Sequence, residues 1–133
     1  MDTPGQIEAF SQSASGQIIT QAFACQFPTV SFYVADTVRC QNPNTFMSNI
    51  MYALSILYKS KTPLLVLFNK TDVLDCSFAA EWMTDFQAFD EALAKQDNYL
   101  STLSRSMSLV LEEFYNQVPH IGVSSTIGKG FDK

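Results

Sequence analysis

Four consecutive residues, Asn69-Lys70-Thr71-Asp72, set a carboxamide, an ammonium and a carboxylate directly after the apolar run Leu64 to Phe68. Groups of this kind in this order can tell guanine from adenine. The Asp72 carboxylate can accept from both the N1–H and the exocyclic amine of guanine, a fork that adenine lacks. Asn69 can serve O6 and N7 or brace a neighbouring loop, while the stem of Lys70 can lie along the base. The plainer alternative is a strand followed by a polar turn, and placement behind a buried strand weighs against it.

Those side chains need an element to hold them. Leu64 to Phe68, opened by Pro63, reads as a fully buried strand of a parallel sheet. Open α/β sheets bind their ligands at the carboxyl edge of such strands. A second chemical pair stands at the start of the chain, in Asp2-Thr3-Pro4-Gly5. There the carboxylate could hold Mg²⁺ through water and the glycine N–H could meet a γ-phosphate. Alone, the pair is an ordinary turn; together with Asn69 to Asp72 it completes two parts of a GTP-handling signature.

The composition bounds the rest. A chain of 133 residues with 47% apolar and 13% aromatic residues can bury a core, as one domain or a large piece of one. The net charge of −5, with only eight scattered basic residues, argues against a nucleic-acid surface. Cys25, Cys40 and Cys76 are odd in number and show no C-x-x-C spacing, and the lone His120 completes no zinc set. Free thiols in a reducing compartment are expected. No run reaches transmembrane length and no signal-peptide core is present, so a soluble intracellular protein without a membrane contact is expected.

The supporting elements follow in order. Ile7 to Phe10 suits a short helical turn, and Ser13 or Ser15 can cap a helix with Ile18, Ile19, Ala22 and Phe23 as its buried stripe. Pro28 ends it. Thr29 to Ala35 alternates as a strand, with Val30, Phe32 and Val34 on one face and Asp36 just past its end. Asn42-Pro43 fits an N-cap and first helical position for a helix through Lys59. Its stripe is Phe46, Ile50, Ala53 or Leu54, and Leu57, widened by Met47, Met51 and Tyr58, and core packing is the commoner use of such a stripe.

Beyond Asp72, the residues Phe78, Trp82, Phe86, Phe89 and Leu93 keep helical spacing, and Thr84 with Gln87 suggests a capping box dividing two helices. Glu81, Asp85, Asp90 and Glu91 read as a solvated face. The clearest helix is Tyr99 to Val118, with Leu100, Leu103, Met107, Val110, Leu111, Phe114 and Val118 on its apolar face and Pro119 as its stop. His120 to Val123 is a short strand leading into the small-residue loop around Ser124, Ser125, Gly128 and Gly130.

Three strands, each followed by a polar loop and a helix, predict a doubly wound α/β domain. The fold class expected is a partial P-loop NTPase domain, with parallel strands, helices on both faces and the P-loop strand missing. Nothing matches G-x-x-x-x-G-K-[ST]; the nearest stretch, Gly122 to Gly130, has the wrong spacing. That loop is normally the main source of nucleotide affinity.

Longer segments carry a resemblance. Asp2-Thr-Pro-Gly-Gln-Ile-Glu-Ala-Phe, Ser13-Ala-Ser-Gly-Gln-Ile-Ile-Thr, Pro43-Asn-Thr-Phe-Met-Ser-Asn, Asn69-Lys-Thr-Asp, Phe78-Ala-Ala-Glu-Trp-Met-Thr-Asp-Phe and Ser106-Met-Ser-Leu-Val-Leu-Glu-Glu-Phe-Tyr resemble the GPN-loop GTPases. The branch most similar is the one associated with RNA polymerase II. The likeness runs over essentially the whole chain, from switch II to the last guanine-binding loop, so residues 1–133 read as a partial GTPase domain.

The resemblance implies GTP and GDP as ligands, Mg²⁺ as the metal, and hydrolysis of GTP. It implies Asp2, Gly5 and Gln6 as catalytic switch II residues, with Asp2 at the metal. It implies Asn69, Lys70 and Asp72 as base-binding residues, with Ser124 and Ser125 in the last nucleotide loop, where Ser125 departs from the family's usual alanine. It further implies a homodimer or a heterodimer with a paralogue, a role in assembly or nuclear import of RNA polymerase II, and a cytoplasmic location from which the protein could shuttle to the nucleus. The alternative is a catalytically inactive, truncated interaction module that keeps the dimer or client surface.

Overall fold

The middle strand of the sheet is β2 (Leu64–Asn69), lying parallel between β1 (Ser31–Asp36) and β3 (His120–Gly122). The computed structural model describes residues 5–11, 13–95, 102, 106 and 108–131. Tyr33 pairs with Val66 and Ala35 with Phe68, while Val66 and Phe68 pair with His120 and Gly122. One sheet face therefore collects Tyr33, Ala35, Leu64, Val66 and Phe68, all buried. Strand β2 alternates buried and half-buried residues, so the expected full burial holds on this face alone. On the other face Phe32 and Val34 are each 59% exposed. Leu65, Leu67 and Ile121 are half-buried there.

Helix α3 (Pro43–Ser60) covers the buried face. Asn42 caps it by accepting from the Asn44 N–H, Pro43 supplies the fixed φ of the first turn, and Lys61 closes it at φ 55°. Phe46 is its central anchor. Its ring stacks on Phe68 at 6.2 Å and meets Trp82 and Phe89 edge-on at 5.1 and 5.2 Å. One fully buried ring thus joins the sheet to α4 (Ser77–Thr84) and α5 (Phe86–Ala94). Met47, Ile50, Ala53 and Leu54 are buried beside it, whereas Tyr58, expected to widen the stripe, is exposed near the helix end.

The break between α4 and α5 falls where expected, but its cap is one residue later. The Thr84 hydroxyl turns back onto the carbonyls of Ala80 and Glu81, leaving Asp85 in extended backbone to accept from the Gln87 and Ala88 N–H groups. Helix α6 (Ser108–Gln117) buries Leu111 and Phe114, with Val118 just beyond it. Val110, expected on the buried face, is 38% exposed, because the apolar stripe runs through Leu111, Phe114 and Val118 and leaves Val110 on its margin. The expectations for Leu100, Leu103 and Met107, and for the Phe86 side chain, lie outside the described residues.

Upstream of the sheet, α1 (Ile7–Ser11) leads into α2 (Ala14–Gln26), which Ser13 caps through the Gly16 N–H. The stripe expected on α2 is not buried: Ile18 is 65% and Phe23 45% exposed, Ala22 is exposed, and only Gly16 is buried. The cause is placement. Helix α2 rests on α1 and α3, and a groove of about 450 Å³ separates it from β1. Among the described residues β2 is the only ladder partner of β1. No helix among them is long and apolar enough to cross a membrane.

Candidate nucleotide-base site

Strand β2 delivers Asn69 to the carboxyl edge of the sheet, and the chain then turns sharply. Lys70 stands at φ 68°, left-handed backbone that an L-residue adopts at a cost of about 1–2 kcal/mol. Its carbonyl accepts from the Val73 and Leu74 N–H groups at 3.0 and 3.3 Å, closing the turn that carries Asp72.

Three residues after β3 lock onto this turn. The Val123 N–H donates to the Phe68 carbonyl at 2.8 Å, and the Val123 carbonyl accepts from both the N–H and the hydroxyl of Thr71. Ser124, fully buried, donates its hydroxyl to Asp72 Oδ1 at 2.5 Å. The Ser125 N–H donates to Asn69 Oδ1 at 3.1 Å, and Asn69 Nδ2 donates to Ser125 Oγ at 3.3 Å. Glycines make the close approach feasible. A Cβ on Gly122 would stand 2.4 Å from Cys76 Sγ, and one on Gly130, at φ 89°, would stand 2.4 Å from the Gly122 carbonyl.

On the other flank lies the end of β1. Lys70 Nζ reaches Asp36 Oδ2 at 2.8 Å, and Arg39 Nε lies 3.9 Å from the same oxygen. Asp36 Oδ1 accepts from the Val38 N–H at 3.0 Å. The Lys70 hydrogen bond is the main reason the Asp36 carboxyl is held below its ordinary range, against a smaller opposing effect of burial. Thr37, fully buried, sends both its N–H and its hydroxyl to the Asn69 carbonyl, at 3.2 and 2.5 Å.

Five of the residues singled out in the sequence, Asn69, Lys70, Asp72, Ser124 and Ser125, thus converge from two loops. Asp72 is exposed, and among the described residues its second carboxylate oxygen has no protein partner. That open oxygen, together with the lone pair that Ser124 leaves on Oδ1, could accept from a ligand edge carrying two adjacent donors. Gly5 and Gln6 are exposed in the turn before α1, and no hydrogen bond joins them to this cluster among the described residues. Asp2 lies outside the described residues, and among them no group of three acidic, histidine or cysteine side chains is arranged to hold a metal. Asp36 and Thr37 were missed from the sequence. Their only signal was position at the end of the neighbouring strand, which gains meaning once the register sets Asp36 beside Asn69.

The groove between α2 and β1 lies away from this cluster and includes none of its residues.

Comparison with known proteins agrees with this geometry. A family model described as "Conserved hypothetical ATP binding protein" matches residues 1–133. A Saccharomyces cerevisiae protein named GPN-loop GTPase 1 is 56% identical, the match covering 100% of this chain and 37% of that protein. The Arabidopsis thaliana protein named GPN-loop GTPase QQT2 is also 56% identical, over 99% of this chain and 35% of its own length. The chain therefore spans about a third of the length of these curated relatives. A crystal structure of a GTPase in apo form from Pyrococcus abyssi superposes with a TM-score of 0.78 at 20% identity, covering 98% of this chain and 53% of that one. That likeness shows the fold alone: this parallel sheet and its helices match part of that α/β domain. Matched over its whole length by the family model and by relatives so named, the chain belongs to the GPN-loop GTPase family.

Proposed function

We propose that this chain supplies the guanine-recognition portion of a GTP-binding and GTP-hydrolysing switch protein. The observation that carries the reading is Asp72, oriented by buried Ser124 and left, among the described residues, with one open oxygen beside Asn69 and Lys70. The family description speaks of ATP. The side chains favour guanine instead, because adenine would turn the N1 lone pair, an acceptor, towards the Asp72 carboxylate. Asn69 spends its side chain on Ser125, so of its two expected uses we assign it the bracing of the last loop.

Hydrolysis needs the phosphate-side groups. In this reading Asp2 holds Mg²⁺ and Gly5 and Gln6 face the γ-phosphate, an assignment supported by family likeness alone. The same likeness supports dimerisation with a second copy or a paralogue, a role in RNA polymerase II assembly or nuclear import, and cytoplasmic residence. The second reading, an interaction module without catalysis, draws on the open apolar face of Phe32 and Val34.

The test is base selectivity, measured in the protein that joins this chain to its phosphate-binding segment. Asp72→Asn should weaken GTP binding by about 3 kcal/mol, two charge-assisted bonds at about 1.5 each, or roughly a hundredfold. Xanthosine triphosphate, with an acceptor in place of the guanine amine, should gain relative to GTP, and ATP should not compete. Equal GTP affinity in variant and wild type would remove Asp72 from the site.

A further inference from the structure

We infer that Asp36 and Thr37, at the end of β1, are positioning residues that preset Asn69 and Lys70 for the base, an inference that rests on the guanine reading above. Two independent observations carry it. Lys70 holds a left-handed backbone at φ 68°, an arrangement that persists only where its surroundings over-determine it. Two contacts supply those surroundings: the Asn69 carbonyl, one peptide earlier, takes two hydrogen bonds from Thr37, and the Lys70 ammonium is tied to Asp36 at 2.8 Å.

The chemistry explains the choice of groups. Lys70 is useful to a base through its methylene stem, and a free lysine stem samples many rotamers. The Asp36 pair restricts it without occupying the ring face, so less ordering remains to be done when the base arrives. Thr37 is fully buried although polar, and its hydroxyl finds its acceptor at the strand end that delivers the motif. Neither residue is expected to touch the nucleotide; both act through Asn69 and Lys70.

The pair is part-exposed, with side-chain accessibilities of 54% for Lys70 and 27% for Asp36, so solvent screening limits its effect. Asp36→Asn keeps an oxygen for the Val38 N–H and removes the ion pair. In the full-length protein it should weaken GDP binding about three- to fivefold at unchanged melting temperature. The loss should shrink in high salt. Lys70→Met keeps the stem and removes the ammonium, so in that background Asp36→Asn should cost nothing further. An equal Asp36→Asn loss in both backgrounds would overturn the inference, as would no loss in either. Thr37→Val gives an arm that leaves Asp36 intact: weaker GDP binding, restored by Thr37→Ser, is expected, and wild-type affinity would count against the role. Asp72→Asn separates the two levels. If GDP binding ignores Asp72→Asn, the base reading falls and this inference with it; if Asp72→Asn is damaging while Asp36→Asn is silent, only this inference falls.

Discussion

Ser124 Oγ donates to Asp72 Oδ1 at 2.5 Å, although the two residues are 52 positions apart in the chain. The bond fixes the rotation of a carboxylate that would otherwise turn freely at an exposed edge. Because Ser124 is fully buried and its backbone N–H is held by the Lys129 carbonyl at 2.9 Å, the donor cannot follow a wandering carboxylate. The loop after β3 therefore orients Asp72, and in the proposed reading it would act on the base only through that carboxylate.

Ser124→Ala should weaken guanine-nucleotide binding by about 1 kcal/mol, the typical net value of one hydrogen bond, or about fivefold. Calorimetric titration with GDP reads this directly. Wild-type affinity in Ser124→Ala would mean that Asp72 is oriented by other groups.

Helix α6 offers a contrast between two neighbours on one turn. Phe114, 2% exposed, should cost about 3–5 kcal/mol when cut to alanine. Val110→Ala, at a position 38% exposed, should stay within about 0.5 kcal/mol. Denaturant midpoints of the two variants would show it. Similar losses for both would mean that α6 packs by a different face.

His120 is the one histidine of the chain, so the pH dependence near neutrality can be assigned to it. Its ring packs edge-on against Phe68 at 6.3 Å, and burial lowers its pKa from the ordinary 6.5. The folded state then binds fewer protons than the unfolded one in this window. Stability is fully present above 6.5 and is lost as pH falls through the lowered folded value. Unfolding by urea should therefore become easier as pH falls below 6.5, and His120→Gln should flatten that slope. A slope that survives the substitution would assign the effect elsewhere, to carboxylates.

How much of this was legible beforehand differs by element. The Asn42-Pro43 start of α3 was readable, and the cap of α2 narrowed to Ser13 or Ser15, because capping is local chemistry; the structure selects Ser13. The four residues proposed to meet the base could be singled out because they are contiguous. The environment of α2 was not: its spacing marks Ile18 and Phe23 as a stripe, yet burial depends on what lies opposite, and α2 turns Gly16, Gln17 and Thr20 towards the groove beside β1 while Ile18 and Phe23 stay exposed. Val110 failed for a related reason, since helical spacing gives a broad sector and the neighbours decide its margin. The Asp36–Lys70 pair could not be seen at all, because 34 residues separate its members and only the parallel register brings them together.

That register also creates the most exposed apolar surface of the sheet. Phe32 and Val34 alternate on the outer face of β1, each 59% exposed, and Val30 just before them is 52% exposed. The adjoining edge of β1 has no ladder partner among the described residues. Unpaired edges and contiguous apolar patches favour association. Covering Phe32 and Val34 would recover on the order of 3 kcal/mol, since both already bury part of their area. The 133-residue chain by itself should therefore self-associate in sedimentation experiments as its concentration rises. The double variant Phe32→Lys, Val34→Lys should shift it towards monomer at an unchanged melting temperature, because neither side chain lies in the core. A wild-type chain that stays monomeric, or a double variant that associates as strongly, would mean that this face is not what drives contact.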